Sequence, residues 1–404
     1  MPGYVNKERR EIMHVYKKPS GLWAYKIDIG KNPQTGKRQQ KEKGGFKRAK
    51  DARIAGEEAL QQYRNKGFAR PEAVTFGDFA KEWLKAYAAV AKVSSVRIRK
   101  HQLGHLNRYF EKIPVQEIHK KQYQDALLSL TKTLAPNTIS GIHATAKMIF
   151  TRAIEYELIY SDPTEFATVP RPKRKIVDPD ENVPAYLEKS QLLDFLQTAK
   201  EKGIAPDYPL FTLLAYTGLR IGEALALTWE DIDFKKNVVK VSKTLYNPTN
   251  NAEKYELLPP KTETSVRVVT MPAHLEKVLA AFKFQVSKLR MEYKELWHYP
   301  KGSKLSFVFT APAHPGHPLT QRLVQTRIDR IQRLMDNPVS LHIHPHIFRH
   351  THASLLAEAG IDLVQIMKRL GHADDTTTRQ IYLHITKTLA TETAEKFDKL
   401  LNKA

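Results

Sequence analysis

The sequence predicts a multidomain α+β fold: a small three-stranded sheet plus one helix, then a four-helix bundle, then a mostly helical segment with a small antiparallel sheet. Three observations predict it. Short alternating runs near the N-terminus give way to helical periodicity from residue 75. A basic stretch punctuated by Pro163, Pro170, Pro172, Pro179 and Pro184 has little periodicity and reads as a linker. Beyond it, helical and strand-like runs mix to the C-terminus. The boundaries that follow are 1–70, 75–165, a linker over 166–185, and 186–404.

At the N-terminus, "EIMHVYKK", "LWAYKIDIG" and "KRQQKEKGG" read as strands separated by Pro19-Ser20-Gly21 and Asn32-Pro33. A helix is expected over Lys47 to Asn65, with Ala52, Ala55, Ala59, Leu60 and Tyr63 near helical spacing. Trp23, Tyr25 and Phe46 are expected in the small core of this sheet. The bundle starts with "TFGDFAKEWLKAYAAV", apolar at 76, 79, 80, 83, 84 and 87. "SSVRIRKHQLGHLNRYF" sets Val96, Leu103, Leu106 and Phe110 against basic residues, and the three in "VRIRK" suit phosphate contacts. "APNTISGIHATAKMIFTRAIEYELI" carries proline in its first turn, where it is tolerated. In the last segment, helices are expected at about 188–201 and 206–216 and after Pro272. Strands are expected at "NVVKVSKTL", "SVRVVTMP" and "FVFT".

The composition narrows the function. Lys and Arg number 65 against 43 Asp and Glu in 404 residues, a formal +22, which favours a polyanionic partner, most often nucleic acid. Residues 1–74 alone carry 18 Lys/Arg and 8 Asp/Glu. Charge by itself leaves a basic protein of another kind open. The absence of cysteine excludes disulfides, thiolate zinc sites and cysteine nucleophiles. There is no secretion-signal core and no apolar run near the roughly 18 residues of a membrane span, so a soluble, cytoplasmic protein is expected.

Four stretches could carry chemistry. In "YTGLRIGEALAL", Gly218 can end one helix and Arg220 open the next, with Glu223 three residues on. A guanidinium at a helix start can grip an anion; R-x-x-E alone reads better as an ordinary ion pair at the surface. In "PPKTETSVRVVTMP", Lys261 precedes a polar turn and a strand, with Lys243 and Lys254 in the same region as rivals. "HPHIFRHTHASLL" spaces His346 and Arg349 to share a helical face. In "RLGHADDTTTRQIYLHI", Gly371 reads as a helix cap, His372 follows, and Tyr382 lies ten residues later. The crowded histidines suggest a metal, but H-E-x-x-H is absent and the nearest following carboxylate is Glu358. No metal or other cofactor is expected.

Taken in this order, "TGLRIGEALAL", "HIFRHTHAS" and "LGH" followed by a tyrosine resemble the boxes of the tyrosine recombinase (phage integrase) family. Phe348 stands where leucine is commoner. The upstream layout resembles integrases of phages and conjugative transposons, with an N-terminal arm-binding domain and a SAM-like core-binding bundle.

The resemblance implies an active site of Arg220, Lys261, His346, Arg349, His372 and Tyr382, with Glu223 in support. It implies Tyr382 as the nucleophile forming a 3′-phosphotyrosyl link, without metal or ATP. Its implied partners are core-type and arm-type sites on double-stranded DNA, a homotetramer on that DNA, an excisionase and a host DNA-bending protein. His350 and His352 are then assigned to packing or helix-start hydrogen bonds, and His342 and His344 to the surface or the DNA backbone. The tail "TKTLATETAEKFDKLLNKA" offers an apolar stripe for docking on a neighbour or on its own domain. The competing functions are a type IB topoisomerase-like relaxing enzyme and a catalytically silent DNA-binding regulator.

Overall fold

The computed structural model describes residues 13–31, 38–65, 74–170, 184–260, 265–301, 306–371 and 376–386. The chain forms two compact units, Met1–Arg174 and Lys175–Ala404. Lys261, His372, the centre of the linker and the tail from residue 387 lie outside the described residues.

The first unit begins with antiparallel strands β1 (Met13–Lys17), β2 (Trp23–Lys31) and β3 (Arg38–Phe46) in that spatial order. Helix α1 (Ala49–Asn65) packs on the sheet. Tyr25, Ile27 and Leu60 form the buried centre, with Met13, Val15 and Phe46 against it. Trp23, expected in this core, is only half-buried at the start of β2 and stands outside that cluster.

Four α-helices make the bundle: α2 (Phe76–Val90), α3 (Val93–Phe110), α4 (Lys120–Leu130) and α5 (Pro136–Glu155). Thr75 caps α2 by accepting from the Asp78 amide at 3.2 Å. Phe76, Phe110, Tyr123 and Phe150 pack ring on ring in the core. Within "VRIRK", Arg97 and Lys100 are exposed as expected, but Arg99 turns inward to Gln102 at 2.9 Å and Thr145 at 3.0 Å. The fully buried Thr145 needs polar partners, and a half-buried arginine supplies one. Residues 166–169 continue onto the bundle, where Ala167 and Val169 pack and Gln124 brackets the Thr168 backbone.

The second unit is built on α6 (Lys189–Lys202), α7 (Asp207–Thr217) and α8 (Ile221–Ala226). Next come β4 (Ile232–Asp233), β5 (Val238–Val241), β6 (Thr244–Tyr246), β7 (Glu256–Leu258) and β8 (Arg267–Thr270). Strands β4, β5 and β8 form one antiparallel sheet in that order, and β6 and β7 form a hairpin. Helix α9 (Ala273–Glu292), hairpin β9 (Thr310–Ala311) and β10 (His314–Pro318), and helices α10 (Gln321–Leu334), α11 (Pro345–Glu358) and α12 (Leu363–Leu370) follow. Among the described residues a further helix, α13, spans 376–386.

"FVFT" is strand only at Thr310. Its buried part forms a single bridge from Phe307 to Thr228, with Val308 N–H donating to the Leu227 carbonyl at 2.9 Å. Phe348 stacks on Phe211 at 5.6 Å and edges Phe195 at 5.3 Å, so the larger side chain completes an aromatic core. Among the described residues, no helix is long and apolar enough to cross a membrane.

Candidate active site

The site is built around two helix ends. Helix α7 stops at Gly218, whose φ of +63° is the left-handed conformation glycine adopts without strain. The chain then turns at once into α8, with Arg220 at its N-cap in extended backbone. Helix α12 ends the same way at Gly371, φ +70°. Both glycines behave as the sequence suggests.

Arg220 and Glu223 hold each other. The Arg220 backbone N–H donates to Glu223 Oε2 at 3.0 Å, and Nη1 donates to Oε1 at 2.8 Å. This is not the surface pair that R-x-x-E spacing also allows, because Glu223 is buried. Burial alone would raise its carboxyl pKa. Hydrogen bonding and charge from Arg267, together with Arg220, outweigh that cost and hold the pKa below its ordinary value.

Arg349 projects from α11 and is 2% exposed. Its Nη1 donates to the Gly218 carbonyl and its Nη2 to the Leu370 carbonyl, both at 2.6 Å. Residues 131 and 21 positions away in sequence are thereby tied to one side chain.

His346 lies one turn earlier, with Pro345 at the first helical position. The residue is exposed overall, yet neighbouring protein takes its ring partly out of water. That partial burial, then His350, Arg349, Arg220 and His344, lower its pKa to about 4. Arg220 and Arg349 are therefore close enough for their charges to act on His346.

Arg220, Glu223, His346 and Arg349 thus share one neighbourhood. Tyr382 lies on α13 and packs, partly buried, against Ala353, Ala357, Ile366, Leu370, Ile381 and Ile385. It therefore sits on the same helical cluster as α11 and α12. Lys243, one of the two rivals to Lys261, is committed elsewhere: its Nζ pairs with Asp231, whose carboxylate also takes the Thr228 hydroxyl and backbone N–H.

The other histidines divide as follows. His352 is buried, between Ala215 and Arg369. His350 Nδ1 lies 3.2 Å from the Ala185 carbonyl. These are tertiary contacts from within α11 rather than helix-start bonds. His342 is exposed, and His344 is the half-buried N-cap of α11. No group of metal-ligating residues occurs among the described residues.

Two arginines escaped the sequence reading. Arg267 Nη2 donates to Glu223 Oε2 at 2.9 Å, and its Nε donates to the Arg369 carbonyl at 2.9 Å. Arg369 in turn donates to His352 Nε2 and to the Tyr216 and Thr270 carbonyls. The alternation of Ser265, Arg267 and Val269 on the inward side of a strand was the available signal for Arg267.

Comparisons with known proteins converge. Residues 185–388 match the phage integrase family, residues 14–63 an arm DNA-binding domain, and residues 75–130 the N-terminal SAM-like domain of phage integrases. The integrase of Staphylococcus phage L54a is 25% identical over 362 residues, covering 85% of this chain and 98% of its own. The ICEBs1 integrase of Bacillus subtilis is 26% identical over 397 residues, covering 96% and 100%. Among solved structures, the Tn1549 transposon integrase with a circular-intermediate DNA aligns at TM-score 0.63 and 22% identity, covering 80% of this chain and 99% of its own. A lambda integrase dimer on a COC′ core site aligns at TM-score 0.55 and 18% identity, covering 93% and 96%. Both likenesses concern the fold.

Proposed function

The chain belongs to the phage integrase family, and from that premise we propose that it integrates and excises a mobile element, with Tyr382 cutting DNA. The observation that supports this reading of the site is the hydrogen bond from Arg349 to the Gly218 carbonyl, which ties the second motif to the first, two residues before Arg220. A phosphodiester carries one negative charge, and its pentavalent transition state concentrates more on the non-bridging oxygens. Arg220 and Arg349 stabilise those oxygens, each positioned donor contributing on the order of 3–4 kcal/mol. His372 adds a further donor.

Tyr382 attacks phosphorus and breaks the bond to the 5′-oxygen, leaving a 3′-phosphotyrosyl link. A tyrosine with the ordinary pKa of about 10 is ionised in only about one molecule in a thousand at pH 7. His346, neutral there, is the base that takes the phenolic proton. Lys261 protonates the departing 5′-oxygen; the engagement of Lys243 with Asp231 supports Lys261 over that rival. The covalent link conserves the energy of the broken bond, so a new 5′-hydroxyl reverses the step without ATP.

The arm-like region takes arm-type sites, and the bundle and catalytic unit take core-type sites, as four protomers on two duplexes. An excisionase and a host DNA-bending protein set direction. The protein works in the bacterial cytoplasm, on the nucleoid when bound.

The test is a nicked core-site DNA that traps the covalent intermediate. Natural protein yields an SDS-resistant adduct and Tyr382→Phe yields none. No adduct from natural protein, or an undiminished one from the variant, overturns the mechanism. Plasmid relaxation without strand exchange between paired sites would assign a topoisomerase instead.

A further inference from the structure

We propose that Arg267 is a positioning residue for DNA cleavage, keeping Glu223 from neutralising Arg220 while fixing the end of α12 at Arg369 and Gly371. The inference rests on the recombinase reading above.

Glu223 is 3% exposed and its two oxygens serve two arginines. Oε1 takes Arg220 Nη1 at 2.8 Å, and Oε2 takes Arg267 Nη2 at 2.9 Å. One carboxylate between two guanidinium groups leaves a net positive charge, and geometry decides where it is expressed. The Arg267 side chain is 7% exposed and Arg220 35%. Arg267 is therefore the inner partner that offsets the carboxylate, and Arg220 is the outer one left to meet an anion. Without Arg267, a buried carboxylate would have Arg220 as its counter-charge, and the pair would present phosphate with a cancelled charge.

The same guanidinium reaches a second motif. Its Nε donates to the Arg369 carbonyl at 2.9 Å, two residues before Gly371. A Cβ on Gly371 would come within 3.0 Å of Arg267 Cδ, so the stem of the arginine lies directly against the glycine that caps α12. Arg267 Nη1 also donates to the Ser265 carbonyl at 3.1 Å, on the segment arriving from Lys261. The anchor of all this is a strand: Arg267 pairs with Val241 across the sheet. A side chain on a strand holds its bearing better than one on a loop.

The experiment uses the full chain and single-turnover cleavage of two nicked core sites, one with a normal scissile phosphodiester and one with a methylphosphonate. The methylphosphonate lacks the charged non-bridging oxygen, so a cation matters less to its cleavage. Arg267→Met is expected to slow phosphodiester cleavage about tenfold or more, with methylphosphonate cleavage falling less than about threefold. Adding Glu223→Gln to Arg267→Met removes the carboxylate charge and recovers part of the phosphodiester rate. Arg267→Lys, which keeps charge but cannot span both partners, falls between. Equal losses on both substrates, with no recovery in the double variant, would mark Arg267 as merely structural and overturn the proposal, as would an unchanged rate. If natural protein forms no adduct on either DNA, the recombinase reading itself falls and the inference with it.

Discussion

Arg369 donates from Nε to Nε2 of His352 at 3.0 Å. A nitrogen that accepts carries no proton, so His352 is the Nδ1–H tautomer, and that proton points to the Ala215 carbonyl 2.8 Å away. Burial, the largest cause, then Arg369, and less strongly Arg349, push its pKa down to about 3, against a raising bond to Ala215. The imidazole is neutral in the folded protein.

Acid should therefore unfold the catalytic unit through His352. The unfolded side chain binds its proton near pH 6.5, the folded one only near 3. Between those values the unfolded state holds more protons, so stability is lost as pH falls from about 6.5 toward 3. The slope approaches about 1.4 kcal/mol per pH unit for one proton. Unfolding midpoints from pH 7.5 to 4.5 should drop less steeply in His352→Gln, whose amide can make both hydrogen bonds without titrating. Identical slopes would remove His352 from the account.

His346 predicts a different profile. With its pKa lowered to about 4, it remains a neutral base well below pH 6.5 in the free protein. Cleavage at subsaturating protein should hold level from pH 8 to about 5.5, the free-enzyme pKa setting the acid limb. A half-maximal loss centred on pH 6.5 would show an unperturbed histidine.

Gly218→Ala should damage both stability and cleavage. The new Cβ would meet Leu370 Cδ2 at 2.6 Å and His352 Cδ2 at 2.8 Å, in a backbone conformation that already disfavours it. The left-handed conformation costs about 1–2 kcal/mol before the contacts are counted. Because the Gly218 carbonyl holds Arg349, cleavage per folded molecule should fall as well. Melting and adduct yield measured on the same sample test both.

Arg327→Leu separates stability from chemistry. Arg327 donates to Asp207 and to the Ile204 and Ala205 carbonyls, and both members of the ion pair are buried. Leaving Asp207 unpaired should cost about 3–5 kcal/mol. Adduct formation at low temperature, per folded molecule, should stay within about twofold of the natural protein.

Binding of core-site DNA should weaken steeply with salt, with a log–log slope of about −0.9 per phosphate neutralised. A flat response across titrations at several ionic strengths would contradict a role for the formal +22.

Local rules carried much of the fold and made part of the candidate site legible. The helical period located α2, α3 and α5, and the glycine caps at 218 and 371 were readable because a left-handed turn is a one-residue requirement. Partner choice was not readable. Arg267 meets Arg369 across 102 residues, and nothing near either one announces the other. Arg99 looked like a phosphate contact because a basic helix face has the same spacing whether it meets solvent or a buried threonine. Phe348 stood out only as a residue where leucine is commoner, and its stacking on Phe211 shows why the core takes a larger ring.

The two carbonyls that hold Arg349 lie at the C-terminal ends of two helices, Leu370 being the last residue of α12 and Gly218 the cap that follows α7. A helix macrodipole places roughly half a negative charge at that end, so two helices converge their negative poles on one guanidinium. Arg349 is thus held by backbone firmly enough to be buried.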